Sequence, residues 1–249
     1  MDLQNKTILI MGASSGIGRG CAALAYKSGA NLVLAARRRE NLEELKKELE
    51  SLNLKEGQLI QVQVCDITNT KDLDGLVSSL PKIDGFVNST GIVKHHPIRS
   101  IGLSLEEVLN TNLLGPVNLI QKILKANKIQ NGGSIVFLAS LSSVLGPKAL
   151  GAYTISKSGI VGLSKVLASE LASKKIRSNC VSPGMVRTEI ASLVEDQVSK
   201  EALERDELNY PLGYCDIEDV TGLVVFLLSD FSKKITGQNL LIDGGYTIK

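Results

Sequence analysis

The chain has 249 residues, of which 43% are hydrophobic and 22% charged, the proportions of an ordinary soluble globular protein. This length can bury a substantial core without disulfides or metal ions. A formal net charge of +2 lacks the basic excess of a nucleic-acid-binding protein, so we expect no nucleic-acid partner.

The cysteines and the first apolar run restrict the class of protein further. The four cysteines, Cys21, Cys65, Cys180 and Cys215, form no CxxC pair and no cluster with histidine, which predicts no metal site. The first apolar run, Ile8–Met11, is too short for a signal peptide or a membrane span. We therefore expect a cytoplasmic protein with reduced thiols and no membrane partner.

Short apolar runs alternate with segments of helical periodicity along the chain. The predicted strands are Thr7–Met11, Asn31–Ala36, Leu59–Val64, Gly85–Val87, Ser134–Ala139, Ser178–Val181 and Asn239–Ile242. The predicted helices are Gly18–Ser28, Arg39–Leu52, Thr70–Leu80, Leu105–Lys128, Ala152–Lys174 and Asp216–Leu228. Nearly continuous apolar strands are covered on both faces. The alternation predicts an α/β fold with a parallel, doubly wound sheet, in a single domain over residues 1–249.

One charged, helix-prone stretch, Glu189 to Pro211, lies between the sixth and the last strands without joining this alternation. It is either a solvated excursion or a lid over a substrate pocket. The lid is favoured because open α/β sheets bind ligands beyond the carboxyl ends of their strands. We therefore expect a substrate lid at about residues 189–213.

A glycine-rich turn follows the first predicted strand. It reads Gly12-Ala13-Ser14-Ser15-Gly16-Ile17-Gly18 and leads into an apolar helix. Glycines permit a tight turn and let backbone N–H groups approach a pyrophosphate. Many such turns bind nothing, but a strand before and a helix after are the context that dinucleotide binding requires. The turn therefore predicts a nucleotide site.

The second predicted strand ends without an acidic residue. Ala36 stands where a carboxylate usually binds the ribose diol of NAD, and three arginines follow: Arg37, Arg38 and Arg39. Guanidinium groups favour the 2′-phosphate of NADP(H). Pairing with glutamates of the next helix would explain Arg38 and Arg39, but not the missing acid. The sequence thus favours NADPH/NADP+ over NAD(H), with Arg37 as the main phosphate ligand and Arg38 as a secondary one.

Tyr153 and Lys157 are four residues apart near the start of a long predicted helix, so they share a helix face. We expect the lysine ammonium, together with the positive nicotinamide of an oxidised cofactor, to lower the tyrosine pKa from its ordinary value of about 10. The spacing alone is common on exposed helices. Ser140, at the carboxyl end of the fifth strand, adds a hydroxyl where active residues of this architecture collect. Ser142 and Ser143 are more simply explained as partners of loop backbone groups.

With these residues in place, the chain resembles the short-chain dehydrogenase/reductase family from Lys6 to about Thr247. The matching motifs are Gly12, Gly16 and Gly18; Cys65-Asp66-Ile67-Thr68; Asn88-Ser89-Thr90-Gly91; Asn112; Ser140, Tyr153 and Lys157; Pro183-Gly184-Met185-Val186-Arg187-Thr188; Ile235-Thr236-Gly237-Gln238; and Asp243-Gly244-Gly245. Met11, Ser89 and Thr90 depart from the family pattern, which has Thr, Asn and Ala there.

The resemblance implies a Rossmann-type sheet of seven parallel strands in the order 3-2-1-4-5-6-7, with helices on both faces. It implies a catalytic set of Asn112, Ser140, Tyr153 and Lys157, in which Asn112 acts through a water and Lys157 also binds the nicotinamide ribose. The cofactor-binding residues that it and the turn imply are Gly12, Ser14, Ser15, Gly16, Ile17, Gly18, Arg37, Arg38, Asp66, Ile67, Asn88, Gly91, Tyr153, Lys157, Pro183, Gly184, Val186 and Thr188.

Together these features predict an NADPH-dependent oxidoreductase that reduces a small-molecule ketone to an alcohol and is similar to 3-oxoacyl-ACP reductases. The alternatives are an NAD-linked alcohol, hydroxysteroid or sugar dehydrogenase and a catalytically silent cofactor-binding scaffold. We expect a substrate pocket formed by residues 93–99, 141–150 and 189–213, with His95 and His96 as solvated loop residues. The resemblance further implies a homotetramer or homodimer.

Overall fold

The fold was taken from a computed structural model, which describes residues 1–52, 54, 57–188 and 200–248. The strands of its sheet are β1 (Thr7–Met11), β2 (Asn31–Ala36), β3 (Ile60–Val64), β4 (Ile83–Asn88), β5 (Ile129–Leu138), β6 (Arg177–Pro183) and β7 (Asn239–Ile242). All neighbouring pairs are parallel, in the order β3-β2-β1-β4-β5-β6-β7. The predicted fold class and strand order are confirmed.

Helices connect the strands and cover both faces of the sheet. They are α1 (Gly16–Lys27), α2 (Arg39–Ser51), α3 (Thr70–Ser79), α4 (Leu105–Leu109), α5 (Gly115–Lys125), α6 (Gly151–Glu170), α7 (Lys200–Glu207) and α8 (Ile217–Leu228). Along β1, Ile8 and Ile10 belong to one buried cluster and Leu9 and Met11 to the other. Because successive side chains point to opposite faces, an uninterrupted apolar strand supplies two cores.

The helix predicted over Leu105–Lys128 is interrupted by one π-helical turn, Asn110–Leu114. Pro116 follows that turn and has no N–H to donate to the carbonyl of Asn112, four residues earlier. A regular α-helical hydrogen bond is therefore impossible at this carbonyl. Such π turns occur often at functional sites.

Among the other boundaries that differ from the prediction, two have a visible cause in the backbone. The segment after α5 turns at Asn127, whose φ is 51°, so the helix ends before the predicted Lys128. Strand β5 then begins at Ile129, five residues before the predicted start, because Ile129 pairs with Ile83 ahead of a register shift. The predicted lid at residues 189–213 lies partly outside the described residues; its described part contains α7.

No helix within the described part of the chain is long and apolar enough to cross a membrane. All four cysteines are free thiols and are buried.

Candidate active site

Two adjoining clefts lie along the carboxyl edge of the sheet. The first, called the turn cleft, has a volume of about 400 Å³ and is lined by the glycine turn and by residues that follow β2, β3 and β4. The second, called the tyrosine cleft, has a volume of about 390 Å³ and contains Ser140, Tyr153 and Lys157. Four residues line both clefts: Ile17, Ser89, Gly91 and Thr188. The clefts therefore form one continuous groove with two ends.

The glycine turn is shaped by close backbone contacts. Gly12 has a φ of +90°, and a Cβ atom on it would lie 3.0 Å from the backbone of Ser89 and of Thr90. A Cβ on Gly18 would lie 2.1 Å from the carbonyl oxygen of Gly12. Side chains at these positions would displace the turn, and their absence leaves α1 starting at Gly16 with free backbone N–H groups, the usual form of a phosphate site.

Arg38 lies beside this turn. Its Nη2 donates to Ser14 Oγ at 3.1 Å and to Ser15 Oγ at 2.7 Å. Arg37 and Arg38 both line the turn cleft, whereas Arg39 pairs with Glu43 at 3.9 Å. Both arginines predicted to bind the 2′-phosphate therefore lie at the turn cleft, and Arg38 also contacts the serines of the turn.

The far end of the turn cleft is formed by the residues after β3. Asp66 and Ile67 line it, and the Asp66 carboxylate accepts hydrogen bonds from the backbone and hydroxyl of Thr68. Predicted residues Asn88 and Gly18 do not line the cleft but support it. The Asn88 side chain accepts from the Thr90 hydroxyl at 3.0 Å, so Thr90 helps to brace the loop after β4.

A strand end positions Ser140. Ala139 extends the β5–β6 ladder by donating to the Val181 carbonyl at 2.8 Å. Ser140 follows in an extended conformation, and its Oγ accepts from the Ser142 N–H at 3.1 Å. Ser140 and Tyr153 line the same cleft, and the Ser140 hydroxyl acts to lower the pKa of the Tyr153 phenol. The structure thus brings a serine hydroxyl and a phenol together at the carboxyl edge of the sheet.

Lys157 is almost fully buried and reaches the same place from α6. Its Nζ donates to the Leu138 carbonyl at 2.7 Å and lies 5.7 Å from the centroid of the Tyr153 ring. A Cβ on Gly91 would lie 3.3 Å from this nitrogen, so glycine leaves room for the lysine there.

Burial shifts the pKa values of both Tyr153 and Lys157. It raises the pKa of Tyr153 above its ordinary value, and the neighbouring Ser140 hydroxyl offsets part of this increase. Burial also lowers the pKa of Lys157 to about 8, so this lysine is only partly charged near pH 8. Within the chain itself, desolvation thus opposes the charged form of both groups. The lowering of the Tyr153 pKa that is expected from Lys157 together with an oxidised nicotinamide stays a prediction.

Asn112 lies in the π-helical turn and is fully buried. Its Oδ1 accepts from the Ile92 N–H at 2.8 Å, while its Nδ2 donates to the Ile92 carbonyl at 2.9 Å and to Ser156 Oγ at 3.2 Å. Ser156 Oγ in turn donates to the Tyr153 carbonyl at 2.7 Å. The Asn112 side chain therefore links the loop after β4 to the helix that carries Tyr153 and Lys157.

The tyrosine cleft includes residues that sequence reasoning missed. Pro183, Gly184, Val186 and Thr188 line it as predicted, but so do Met185 of the same segment and Tyr246 near the end of the described chain. Tyr246 follows the Asp243-Gly244-Gly245 motif and could have been found only by knowing where that motif folds. Asp206 and Tyr210 fall within the predicted 189–213 segment.

The two histidines differ in their surroundings. His95 is exposed and lines the tyrosine cleft, whereas His96 is only partly exposed and does not line it. The His96 backbone N–H donates to the Ala149 carbonyl at 2.8 Å, which joins the loop after β4 to the loop before α6. His96 is therefore better described as a structural residue than as a solvated one.

Comparisons with known proteins show the family to which the chain belongs. A sequence model described as enoyl-(acyl carrier protein) reductase matches residues 12–247. The 3-oxoacyl-[acyl-carrier-protein] reductase FabG of Thermotoga maritima is 34% identical over 251 residues, covering 100% of both chains. The structure of actinorhodin polyketide ketoreductase with NADPH superposes with a TM-score of 0.89 at 30% identity, covering 99% of each chain.

A further structure, from Beutenbergia cavernae and named as an NAD(P)-dependent gluconate 5-dehydrogenase with bound NADP, gives a TM-score of 0.90 at 29% identity, over 100% of this chain and 99% of that one. The chain belongs to the short-chain dehydrogenase/reductase family. It is an oxidoreductase of the class that interconverts alcohols and carbonyl compounds.

Proposed function

We propose that this protein reduces a 3-oxoacyl thioester to the 3-hydroxyacyl thioester with NADPH. The observation that carries this proposal is that Ser140 and Tyr153 line one cleft, which is continuous with the glycine turn. The Ser140 and Tyr153 hydroxyls in this cleft can donate hydrogen bonds to the oxygen of a ketone as negative charge develops on it during reduction. The curated relatives with 3-oxoacyl-[acyl-carrier-protein] reductase activity in their names support the substrate class.

The residues of the groove fit the cofactor. The glycine turn would hold the pyrophosphate on backbone N–H groups, and Arg38 with Arg37 would hold the 2′-phosphate. Asp66 and Ile67 would contact the adenine, and the segment Pro183–Thr188 would hold the nicotinamide. The solved relatives with NADPH and NADP support this assignment. NADPH, when bound, supplies the hydride that reduces the carbonyl carbon.

The chain's own residues then deliver the proton. Because burial raises the Tyr153 pKa, the phenol is protonated at neutral pH and can donate to the substrate oxygen while Ser140 orients that oxygen. Lys157 lies close enough to stabilise the phenolate that this transfer leaves. The Asn112 carbonyl, which lacks a helical N–H partner at Pro116, is the group that would hold a water for reprotonation.

Two other reactions follow from specific findings. Reduction of an enoyl thioester is suggested by the description of the matching family model. Oxidation of a sugar alcohol is suggested by the gluconate dehydrogenase neighbour. The relatives named as 3-oxoacyl-[acyl-carrier-protein] reductases favour the ketone. In ketone reduction the negative charge falls on the oxygen of the carbon that receives the hydride, whereas in enoyl thioester reduction it falls on the thioester oxygen, three bonds from that carbon.

The experiment is a substrate panel that follows NADPH absorbance. We expect oxidation of NADPH with 3-oxobutanoyl-ACP or its N-acetylcysteamine thioester, and little with the trans-2-butenoyl thioester. The corresponding assay with NAD(P)+ and gluconate is expected to give no reduction of the cofactor. Faster turnover of the enoyl thioester or of gluconate would refute the proposal.

A further inference from the structure

The tyrosines of this chain are concentrated at the active site. The sequence has five tyrosines, four phenylalanines and no tryptophan, so aromatic residues are scarce. Three of the five tyrosines, Tyr153, Tyr210 and Tyr246, line the tyrosine cleft, and Tyr214 packs behind Tyr210. Tyr210 and Tyr246 are described below as the tyrosine wall.

The tyrosine wall is a fixed surface. The Tyr210 ring packs edge to face on Tyr214 at 4.9 Å between centroids, and its hydroxyl accepts from the Met185 N–H at 3.4 Å. Gly184 faces this ring so closely that a Cβ on it would lie 2.9 Å from Tyr210 Cε1. Tyr210 is 8% exposed and is therefore held in place by backbone on one side and by an aromatic ring on another.

Tyr246 rests on this support and is the more accessible of the two rings. Its centroid lies 4.6 Å from that of Tyr210, with the ring planes tilted by 46°. Tyr246 belongs to the last turn of the described chain, Tyr246–Ile248. It therefore brings an aromatic surface to the cleft from a segment remote in sequence from the catalytic helix.

The remaining lining next to Ser140 and Tyr153 is mostly aliphatic, with Leu141, Leu145 and Leu150 as examples. The one carboxylate that lines the cleft, among the residues described, is that of Asp206, which accepts from the Tyr214 hydroxyl at 2.8 Å. The Asp206 carboxylate would repel an anionic group on the substrate. The aliphatic and aromatic lining of the cleft favours a neutral ligand.

From these contacts we infer that the tyrosine wall selects 3-oxoacyl substrates whose acyl group carries a neutral, flat aromatic ring, with Tyr246 as the specificity-determining residue. A rigid ring stacks in an offset or edge arrangement on an aromatic wall and gains more than an aliphatic group of similar area. It also has fewer rotatable bonds to immobilise than a linear acyl chain. The inference rests on the proposed function for the reacting group, but concerns only the part of the substrate beyond the carbonyl.

The test compares two ligands that differ only in the ring. These are the N-acetylcysteamine thioesters of 3-oxo-5-phenylpentanoic and 3-oxo-5-cyclohexylpentanoic acid, whose reacting carbonyls are the same. Their dissociation constants are measured by calorimetry with the full chain, with and without NADP+, a condition in which the ketone cannot be reduced. We expect the phenyl compound to bind about threefold to tenfold more tightly. Equal binding, or tighter binding of the cyclohexyl compound, would overturn the inference.

Two variants test the role of Tyr246. Tyr246→Leu keeps an apolar side chain and is expected to reduce the phenyl preference to about one, with the cyclohexyl affinity changed by less than about twofold. Tyr246→Phe keeps the ring and is expected to retain the preference. An unchanged preference in Tyr246→Leu would contradict the assignment.

The inference and the proposed function fail separately. If wild-type protein does not reduce 3-oxobutanoyl thioesters, the proposed function is wrong, and the binding comparison still tests the tyrosine wall. If it does reduce them but shows no phenyl preference in binding, only the inference is wrong.

Discussion

The two ends of the active-site groove are built in different ways. At the phosphate end of the turn cleft, one contiguous segment, Gly12–Gly18, takes its shape from backbone contacts that exclude a Cβ. The tyrosine cleft is formed by side chains from segments as distant as Val93, Tyr153 and Tyr246. The phosphate end of the groove is therefore encoded largely by local backbone contacts, whereas substrate selection depends on how distant segments pack.

The largest effect on cofactor binding is expected from a side chain in the turn. Gly18→Ala places a Cβ 2.1 Å from the Gly12 carbonyl oxygen, so the backbone must shift. Losing two backbone hydrogen bonds to a phosphate, at about 1.5–3 kcal/mol each, weakens NADPH binding by ~100-fold or more. Fluorescence titration with NADPH measures this. Gly162→Ala in α6 is the matched control, because nothing lies within 4 Å of its Cβ, and should leave binding unchanged. Binding by Gly18→Ala within about twofold of wild type would contradict the local encoding.

Lys157→Met tests whether the lysine that activity requires also destabilises the folded chain. The Lys157 pKa falls from 10.5 to about 8 in the folded chain, so its charge destabilises the fold fully below pH 8, and the penalty disappears as pH rises towards 10.5. By linkage, the buried charge lowers the free energy of unfolding by about 3 kcal/mol at pH 7. Lys157→Met removes this penalty but also loses the hydrogen bond to the Leu138 carbonyl, which costs about 1 kcal/mol.

The methionine variant should therefore lose activity by about 100-fold or more while gaining stability at pH 7. The gain in free energy of unfolding should shrink between pH 8 and pH 10. Urea denaturation of both proteins at pH 7, 8.5 and 10 measures it. A gain that stays constant with pH would show that burial of the ammonium is not its cause.

A smaller effect is expected at the phosphate end. Arg38→Ala should reduce the ratio of NADPH to NADH in kcat/KM by about tenfold, because Arg38 is the arginine that contacts Ser14 and Ser15. Arg39→Ala serves as the control, since Arg39 pairs with Glu43 and does not line the turn cleft. An effect of Arg37→Ala larger than that of Arg38→Ala would restore the order expected from sequence.

The smallest effect on activity is expected at Ser156, which lies between Asn112 and the catalytic helix. Ser156→Ala removes the hydroxyl between Asn112 and the Tyr153 carbonyl and should lower the free energy of unfolding by about 1 kcal/mol. We expect kcat to fall a few-fold with little change in KM for NADPH. Ser169→Ala, an exposed position near the end of the same helix, should change neither. A loss of NADPH affinity instead of kcat would argue against a positioning role for Ser156.

The sequence predicted the turn end of the groove better than the tyrosine end. Strands and glycines are local signals, so the sheet order and the place of Ser140, Tyr153 and Lys157 were accessible from pattern and resemblance. The π-helical turn at Asn110–Leu114 was not predicted, although Pro116 is its visible signal. The periodicity of apolar residues indicates which face of a helix is buried. It does not show that Pro116 removes a backbone hydrogen bond and so interrupts the helix.

The depth at which Tyr153 and Lys157 are buried could not be predicted either. The i, i+4 spacing indicated an ammonium beside a phenol, but the pKa of each group also depends on how deeply it is buried. Tyr246 was missed for a related reason. Its place in the tyrosine cleft depends on the folding of the C-terminal segment against Tyr210, which no nearby residue indicates.

The central claim is that Tyr153 is the proton donor in a cleft where the cofactor binds independently. The most direct measurement is a single-turnover assay of Tyr153→Phe loaded with NADPH and mixed with 3-oxobutanoyl thioester. We predict that NADPH binds this variant as it binds wild type, and that the rate of NADPH oxidation falls by about 100-fold to 10,000-fold. Oxidation of NADPH at a rate near that of wild type would contradict the claim.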